Sequence, residues 1–490
     1  MIRSKMSVCL LYALLFVNFS LFATGGDAPE KLKFRADKTF RIAQFTDIHW
    51  DSNIPEVCDR TIELLQSVLA AEKPDLVVLT GDIVTVSPAG DGWLRIARVF
   101  EQEGLPWAVV LGNHDDETDL SRSQIFDLLD GLPGFMGEKG SVSGAGNYVL
   151  QVGGYQKDQT SALLYFIDSQ AYTQIPGVGT YDWFRFDQID WYRKQSQLLR
   201  DKNEGSPLPA LAFFHIPTSE YKEVMDKPFV MGVKNEDVAC GVLNPGMITA
   251  FIEMGDVMGT FVGHDHDNNY IGIYHGIALA YGQKTGFNSY GDLSKGARII
   301  ELHQDERSFN TWVRTPEGES LHYNYPFGQS FLEKDIAYKP ALKVEKVSNG
   351  VKFTYYEGKF QSVNDMTNAT PSKSGIVQKI EIPSDASIDH FGYVFEGLIE
   401  IRQKGLYRFY LESDDGSVFW IDGQELINND GSHSAERKKA VVALEAGLHS
   451  FKLAYFDDYM DQKLEIGLLG RGFPEDKLPE SVLFHSVKEK

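Results

Sequence analysis

The chain has 490 residues, 43% of them hydrophobic, with 47 basic against 69 acidic side chains and a formal net charge of -22. One core rarely serves more than about 250 to 300 residues, so two or more domains are expected. The charge excludes a general nucleic-acid surface or a surface for anionic membranes, both of which need clustered Lys and Arg; an anionic substrate would need a local source of positive charge.

The first segment, residues 1–25, reads as a secretory signal peptide. Arg3 and Lys5 precede an apolar stretch from Val8 to Ala23, interrupted by Asn18 and Ser20, and small residues follow with a cut expected after Gly25. A membrane anchor is the rival reading, since the stretch is near the lower length of a bilayer span. The expected location is therefore secreted, periplasmic or cell-surface, with no transmembrane span in the mature chain. Cys9 falls in the apolar run, which leaves Cys58 and Cys240 in the mature chain. Two cysteines allow at most one disulfide, and their spacing excludes a Cys-based zinc site.

From 38 to 315 short apolar runs alternate with helical text. "FRIAQFT" (40–46), "DLVVLT" (75–80), "PWAVVL" (106–111), "SALLYFID" (161–168), "ALAFFH" (210–215) and "GTFVG" (259–263) read as buried strands. Between the first two, Ile62, Leu65, Val68 and Leu69 share one helical face, so the pattern is βαβ with helices covering sheets. Functional groups in such folds collect beyond the carboxyl ends of the strands. Read in order, those positions carry Asp47 and His49, Asp82, Asn113 and His114, His215, then His264 and His266.

A single Asp or His at a strand end is usually a turn residue or a helix cap. Five such ends placing metal-competent groups at one sheet edge make coincidence a poor account. The set exceeds the needs of one metal but suits two ions sharing a carboxylate, which clamp attacking and leaving oxygens. Imidazole and carboxylate without thiolate suit Zn, Fe, Mn or Co. Two such ions would also supply the positive charge the chain otherwise lacks.

The ordered blocks DxH, GDxx, GNHD, H and GHxH, spread over about 40 to 310, resemble the calcineurin-like metallophosphoesterase superfamily. The resemblance implies an α/β four-layer sandwich, α/β/β/α, for a domain at 38–315. It implies that Asp47, His49, Asp82 and His266 hold one metal and that Asp82, Asn113, His215 and His264 hold the second, with Asp82 bridging. It further implies that His114 protonates the leaving oxygen or steadies the phosphoryl group, and Asp115 is then expected to orient His114. Asp116 and Glu117 are expected to cap the following helix. Stretches such as "GQKTGFNSYGDLSKGARIIEL" resemble the purple-acid-phosphatase-like branch. Thr85, however, stands where true purple acid phosphatases have a chromophoric Tyr, and their first block lacks the His found here at 49, so no purple colour is expected and the metals stay open. Asp168 is read as structural or as a support to the ligands, His275 and His303 as solvent-facing, and Tyr172, Trp183 and Phe184 as lining a substrate entrance or packing a loop.

After a linker at 316–340 the text changes to short alternating strands, an all-β domain at 341–475. "FEGLIEI", "GLYRFYLESDDGSVFWIDG" and "AGLHSFKLAYF" resemble the PA14 β-barrel module. In that resemblance a paired aspartate holds calcium and binds glycans in some members, and Asp414 and Asp415 fall on the pair; the acidic pair beside Gly416 also reads as a plain turn, and Trp420 as core. The expectation for the whole chain is a secreted dimetal phosphoesterase hydrolysing a phosphate monoester by in-line attack of metal-bound hydroxide. A phosphodiesterase on the same site is the near alternative, and a glycan- or surface-binding protein acting through the C-terminal domain is the alternative of another class.

Overall fold

The computed structural model describes residues 31–487 except 157–158, 226, 228–229, 329, 333–335, 384–386, 388 and 471–472. The signal peptide expected at 1–25 lies outside the described residues. No described helix is long and apolar enough to cross a membrane.

The first unit runs β1 (Thr39–Phe45), α1 (Pro55–Glu72), β2 (Leu76–Thr80), α2 (Ala89–Gln102), β3 (Trp107–Val110), α3 (Arg122–Leu129), β4 (Tyr148–Gly153), β5 (Thr160–Phe166), α4 (Phe186–Lys202), β6 (Ala210–Phe213), α5 (Tyr221–Val224), α6 (Met247–Met254) and β7 (Val257–Val262). It continues through β8 (Ile271–Tyr274), β9 (Ile277–Tyr281), β10 (Ala297–His303), β11 (Phe309–Thr315) and β12 (Gly318–Tyr325). Two mixed sheets result, ordered β12-β11-β10-β1-β2-β3 and β4-β5-β6-β7-β9-β8. The six apolar runs read as strands are β1, β2, β3, β5, β6 and β7. β12 belongs to the first sheet, so that unit reaches Tyr325, inside the stretch expected as linker.

The strands at the centre are buried on both faces, which explains their unbroken apolar text: Leu76–Thr80 and Val257–Val262 are buried at every position. Between the sheets an aromatic row, Tyr148, Phe166, Phe213, Phe261 and Phe309, runs ring to ring at 4.6 to 5.7 Å, stacked as far as Phe261 and edge-on to Phe309. On the outside of the first sheet, Leu65, Val68, Trp93 and Ile96 of α1 and α2 join that core. Tyr192, Leu199, Met247 and Phe251 of α4 and α6 cover the second sheet with a separate cluster. The layers are helix, sheet, sheet, helix, as expected. In the first sheet β1, β2 and β3 are parallel, and in the second β5, β6, β7 and β9. Parallel pairing sends the carboxyl ends of neighbouring strands to one edge, and that edge carries the polar residues singled out above.

The second unit is antiparallel: β13 (Val347–Asn349), β14 (Val351–Glu357), α7 (Val363–Thr367), β15 (Lys373–Val377), β16 (Phe391–Ile401), β17 (Gly405–Asp414), β18 (Ser417–Ile421), β19 (Gln424–Asn429), β20 (Glu436–Leu444), β21 (Gly447–Asp457), β22 (Lys463–Gly470), β23 (Phe473–Lys477) and β24 (Leu483–Ser486). Its strands form an eight-stranded and a four-stranded sheet, hydrogen-bonded separately and facing each other over Phe409, Phe419, Phe451 and Leu453. β24 pairs with β13 and β16, so the unit extends beyond residue 475 to Ser486. Trp420 lies partly buried beside a smaller cluster, with Lys452 over its ring.

Candidate metal centre

The loops after β1, β2, β6 and β7 bring two groups together. In one, Asp47, His49, Asp82 and His266 offer atoms all within 4.8 Å of one another; in the other, Asp82, His215 and His264 do so. Asp82 belongs to both, the geometry of a shared carboxylate between two cation positions. Among the described residues, Cys58 and Cys240 form no disulfide.

The backbone is bent to achieve this. Asp47, His49, Asp82 and His264 all have positive φ, at 52°, 46°, 53° and 79°. Non-glycine residues seldom adopt this conformation, and four of them meeting in one site mark a place where structure is held for a purpose. Two glycines permit the approach of the loops. A Cβ on Gly112 would lie 2.1 Å from Asp82 Oδ1, and one on Gly263 would lie 2.7 Å from Asp47 Oδ2.

Hydrogen bonds then orient the side chains. His215 Nδ1 donates to the Thr80 carbonyl at 2.8 Å, which fixes the ring and aims Nε2 at Asp82 Oδ2, 3.2 Å away. Asp47 accepts from the His264 amide and from Thr46 Oγ1, and Asp82 Oδ1 accepts from the His114 amide. Asn113 Nδ2 donates to the Tyr172 hydroxyl at 2.9 Å.

The donor set fits bound cations. Among the described residues, Asn113 Oδ1, His215 Nε2 and His264 Nε2 are buried without a hydrogen-bond partner, a costly state for polar atoms unless something else satisfies them. Burial pushes His49 and His264 down to about 4 and about 3, so both are neutral imidazoles able to ligate. Burial opposes the charge on Asp82, but the histidines around it, His215 first, together hold the carboxyl well below the usual range. Burial opposes the charge on Asp47 as well, and His266 with His215 lowers its pKa against that.

Two expected roles are corrected. Asp115 does not touch His114: its carboxylate accepts from the amides of Asp82, Ile83, Val84 and Gly112, tying the tip of β3 to that of β2. Burial and the Asp82 charge push it up to about 6. The partner of His114 is Glu117, whose Oε2 lies 2.5 Å from Nδ1. Glu117 therefore does not cap α3; Ser121 does, in a reciprocal capping box with Gln124. Burial disfavours the charged His114, but Asp82 and Glu117 together raise its pKa above the usual histidine value.

Other residues fall as follows. Asp168 binds Arg122 through both oxygens, and Arg122 also donates to the Gly112 and Leu111 carbonyls, bracing the Asn113 loop. Tyr172 reaches the site, whereas Phe184 is buried against Phe214 and Trp183 packs with Arg185. His275 turns between β8 and β9, and His303 bonds Ser308, both away from the cluster. Sequence reading missed Arg122, Tyr181 and Tyr290. The Tyr181 ring meets His264 edge-on at 4.5 Å, and Tyr290 stacks on His266 at 4.0 Å with its hydroxyl on Glu236. "GFNSYG" was the available signal for Tyr290, since its Gly-bounded loop follows a strand at the same sheet edge.

In the second unit Asp414 and Asp415 are joined by a cis peptide. Asp415 accepts from the amides of His433, Asp458 and Tyr459, while among the described residues both oxygens of buried Asp457 lack a hydrogen-bond partner.

Comparison with known proteins agrees with this division. The profile for calcineurin-like phosphoesterases matches residues 40–268, and that for the PA14 domain matches 347–469. "Probable inactive purple acid phosphatase 29" of Arabidopsis thaliana is 31% identical over 316 residues, covering 58% of this chain and 81% of its own. "Phosphatase DCR2" of Saccharomyces cerevisiae is 28% identical over 328 residues, covering 58% of this chain and 55% of its own. Among solved structures, a dimetal phosphatase from Danio rerio aligns at 14% identity and TM-score 0.38, covering 58% of this chain and 98% of that one. The shared blocks, the sheets and the buried Asp and His cluster agree: the chain belongs to the calcineurin-like metallophosphoesterases, with purple-acid-phosphatase-like relatives, and carries a C-terminal PA14 domain.

Proposed function

We propose that the chain is an exported phosphoric ester hydrolase acting on a phosphate monoester, with Asp47, His49, Asp82 and His266 holding one cation and Asp82, Asn113, His215 and His264 the other. The observation that carries this is the pair of clusters sharing Asp82, with buried ligand atoms that have no protein partner. Zn, Fe, Mn or Co suit the donors, and when bound they would draw electron density from phosphate oxygens and acidify water. His114 stands at the rim with its ring about one-third exposed, the position for a group that meets substrate. With Nδ1 engaged by Glu117, Nε2 is the nitrogen that gives a proton to the leaving oxygen, and the raised pKa keeps that proton available near neutral pH. Arg122, Asp115 and Asp168 hold the Asn113 and His114 loop still while this happens.

The relatives' names range from probable inactive purple acid phosphatase to phosphatase, so the decisive test is turnover itself. The full chain, loaded in turn with Zn, Mn and Fe, is assayed on a chromogenic phosphate monoester and its diester analogue beside Asp82→Ala. Hydrolysis that falls to background in the variant supports the reading, and the monoester to diester ratio chooses between phosphatase and phosphodiesterase. A loaded wild type as inert as the variant overturns the hydrolase reading.

For the C-terminal domain, unpartnered Asp457 beside Asp414 and Asp415 favours a calcium-dependent docking role on glycans. A PA14 sugar-binding domain of an RTX adhesin is similar in the sense of a 19% identical alignment with TM-score 0.25 over 28% of this chain.

A further inference from the structure

The loop between Gln170 and Asp182 folds back on itself: Thr173 donates to the Thr180 carbonyl and Asp182 to that of Ala171, each at 3.0 Å, with Tyr172 and Tyr181 opposite one another. Its two ends are tied down, Gln170 to Asp168 and Gln188, and Asp182 to Arg185. The rings of Tyr172 and Tyr181 stack at 5.8 Å, so each backs the other. Tyr172 meets Asn113, and Tyr181 meets His264. Both contacted residues belong to the same candidate cation position.

A carboxamide has one donor end and one acceptor end. With Asn113 Nδ2 spent on the phenol oxygen of Tyr172, the buried and otherwise unpartnered Oδ1 is the end left for a cation. Without that bond the amide is free to rotate and present NH2 instead. The edge of Tyr181 limits rotation of the His264 ring in the same way. Among the described residues, neither tyrosine has a hydrogen bond or ring contact with Asp47, His49 or His266. The ring on His266 is Tyr290, which comes from a different loop.

We propose that Tyr172, backed by Tyr181, is a positioning residue for one cation position alone, the one built from Asp82, Asn113, His215 and His264. This rests on the dinuclear reading above. The test uses the full chain stripped by chelation and titrated with Mn2+ by calorimetry, with bound metal counted by elemental analysis, for wild type, Tyr172→Phe and Tyr181→Ala. Tyr172→Phe keeps the ring and removes only the hydroxyl, and circular dichroism melting checks that it folds. Wild type is expected to bind two ions. In Tyr172→Phe one of the two affinities falls roughly 10-fold to 100-fold, the range for losing a group that orients a ligand, while the other is unchanged. Tyr181→Ala weakens the same position. Two unchanged affinities in Tyr172→Phe overturn the inference, as does an equal fall in both, which would mean general loosening. A wild type that binds fewer than two ions overturns the dinuclear reading, and this inference with it.

Discussion

At the scale of single residues, Glu117 is the side chain whose role is most open to test. Its carboxylate lies 2.5 Å from His114 Nδ1 and touches no candidate metal ligand directly through a hydrogen bond. Glu117→Gln keeps size and hydrogen-bonding ability but removes the charge that favours imidazolium. The expected outcome is a kcat lower by roughly 10-fold to 100-fold with bound metal unchanged, read by steady-state kinetics beside elemental analysis. Equal loss of metal would place Glu117 in the support of the ligands instead. Gly112→Ala tests packing: its Cβ would lie 2.1 Å from Asp82 Oδ1, and Asp82 is nearly fully buried with nowhere to retreat. A destabilisation of about 1 to 3 kcal/mol, the usual cost of overpacking, should appear in denaturant unfolding together with lost metal. The text "GNHDDE" names the loop but not the pairing within it. Asp115 is next to His114 in sequence, yet the turn sends its carboxylate back to the Gly112 amide and sends that of Glu117 to the imidazole.

At the scale of elements, the metal-centre strands were legible because each is a short apolar run that stops abruptly at its ligand, as at Phe45, Thr80 and Val262. β8, β9 and the β10 to β12 meander were not separately read, since their alternating text carries no ligand to mark the ends. Tyr181 was hidden for a different reason: its contact depends on a loop whose path is set by tertiary packing, which no local pattern encodes. In the second unit the end of β21 offers a pH test. Asp457 is pushed up to about 7, first by burial and then by the Asp415 charge. An unfolded aspartate titrates near 3.9. The folded state therefore holds its proton more tightly, and the contribution to stability is greatest at low pH and is lost as pH rises from about 4 through about 7. In chelator, the melting temperature of this unit should fall across that window, Asp457→Asn should flatten the dependence, and Ca2+ should restore stability above pH 7. A melting curve indifferent to Ca2+ at high pH would remove the argument for a cation there.

At the scale of the whole molecule, the two units keep separate cores, and Arg408 of β17 donates to the Pro326 carbonyl just after β12 where they meet. Among the described residues, neither candidate site draws a residue from the other unit. Turnover and docking should therefore separate by mutation. Changing Asp414 and Asp415 together to Asn leaves the first unit's strands and ligands untouched, so kcat and KM on a small soluble monoester should equal those of wild type. Retention of the same protein on immobilised glycans, and its response to Ca2+, should be lost. The reverse holds for Asp82→Ala, which should bind glycans as wild type does and hydrolyse nothing. With a net charge of -22, the protein is repelled by anionic surfaces, so a neutral sugar surface held through a cation is the kind of docking its electrostatics permit. Binding that persists in the Asn pair, or turnover of the soluble ester that falls with it, would show instead that the two units act as one site.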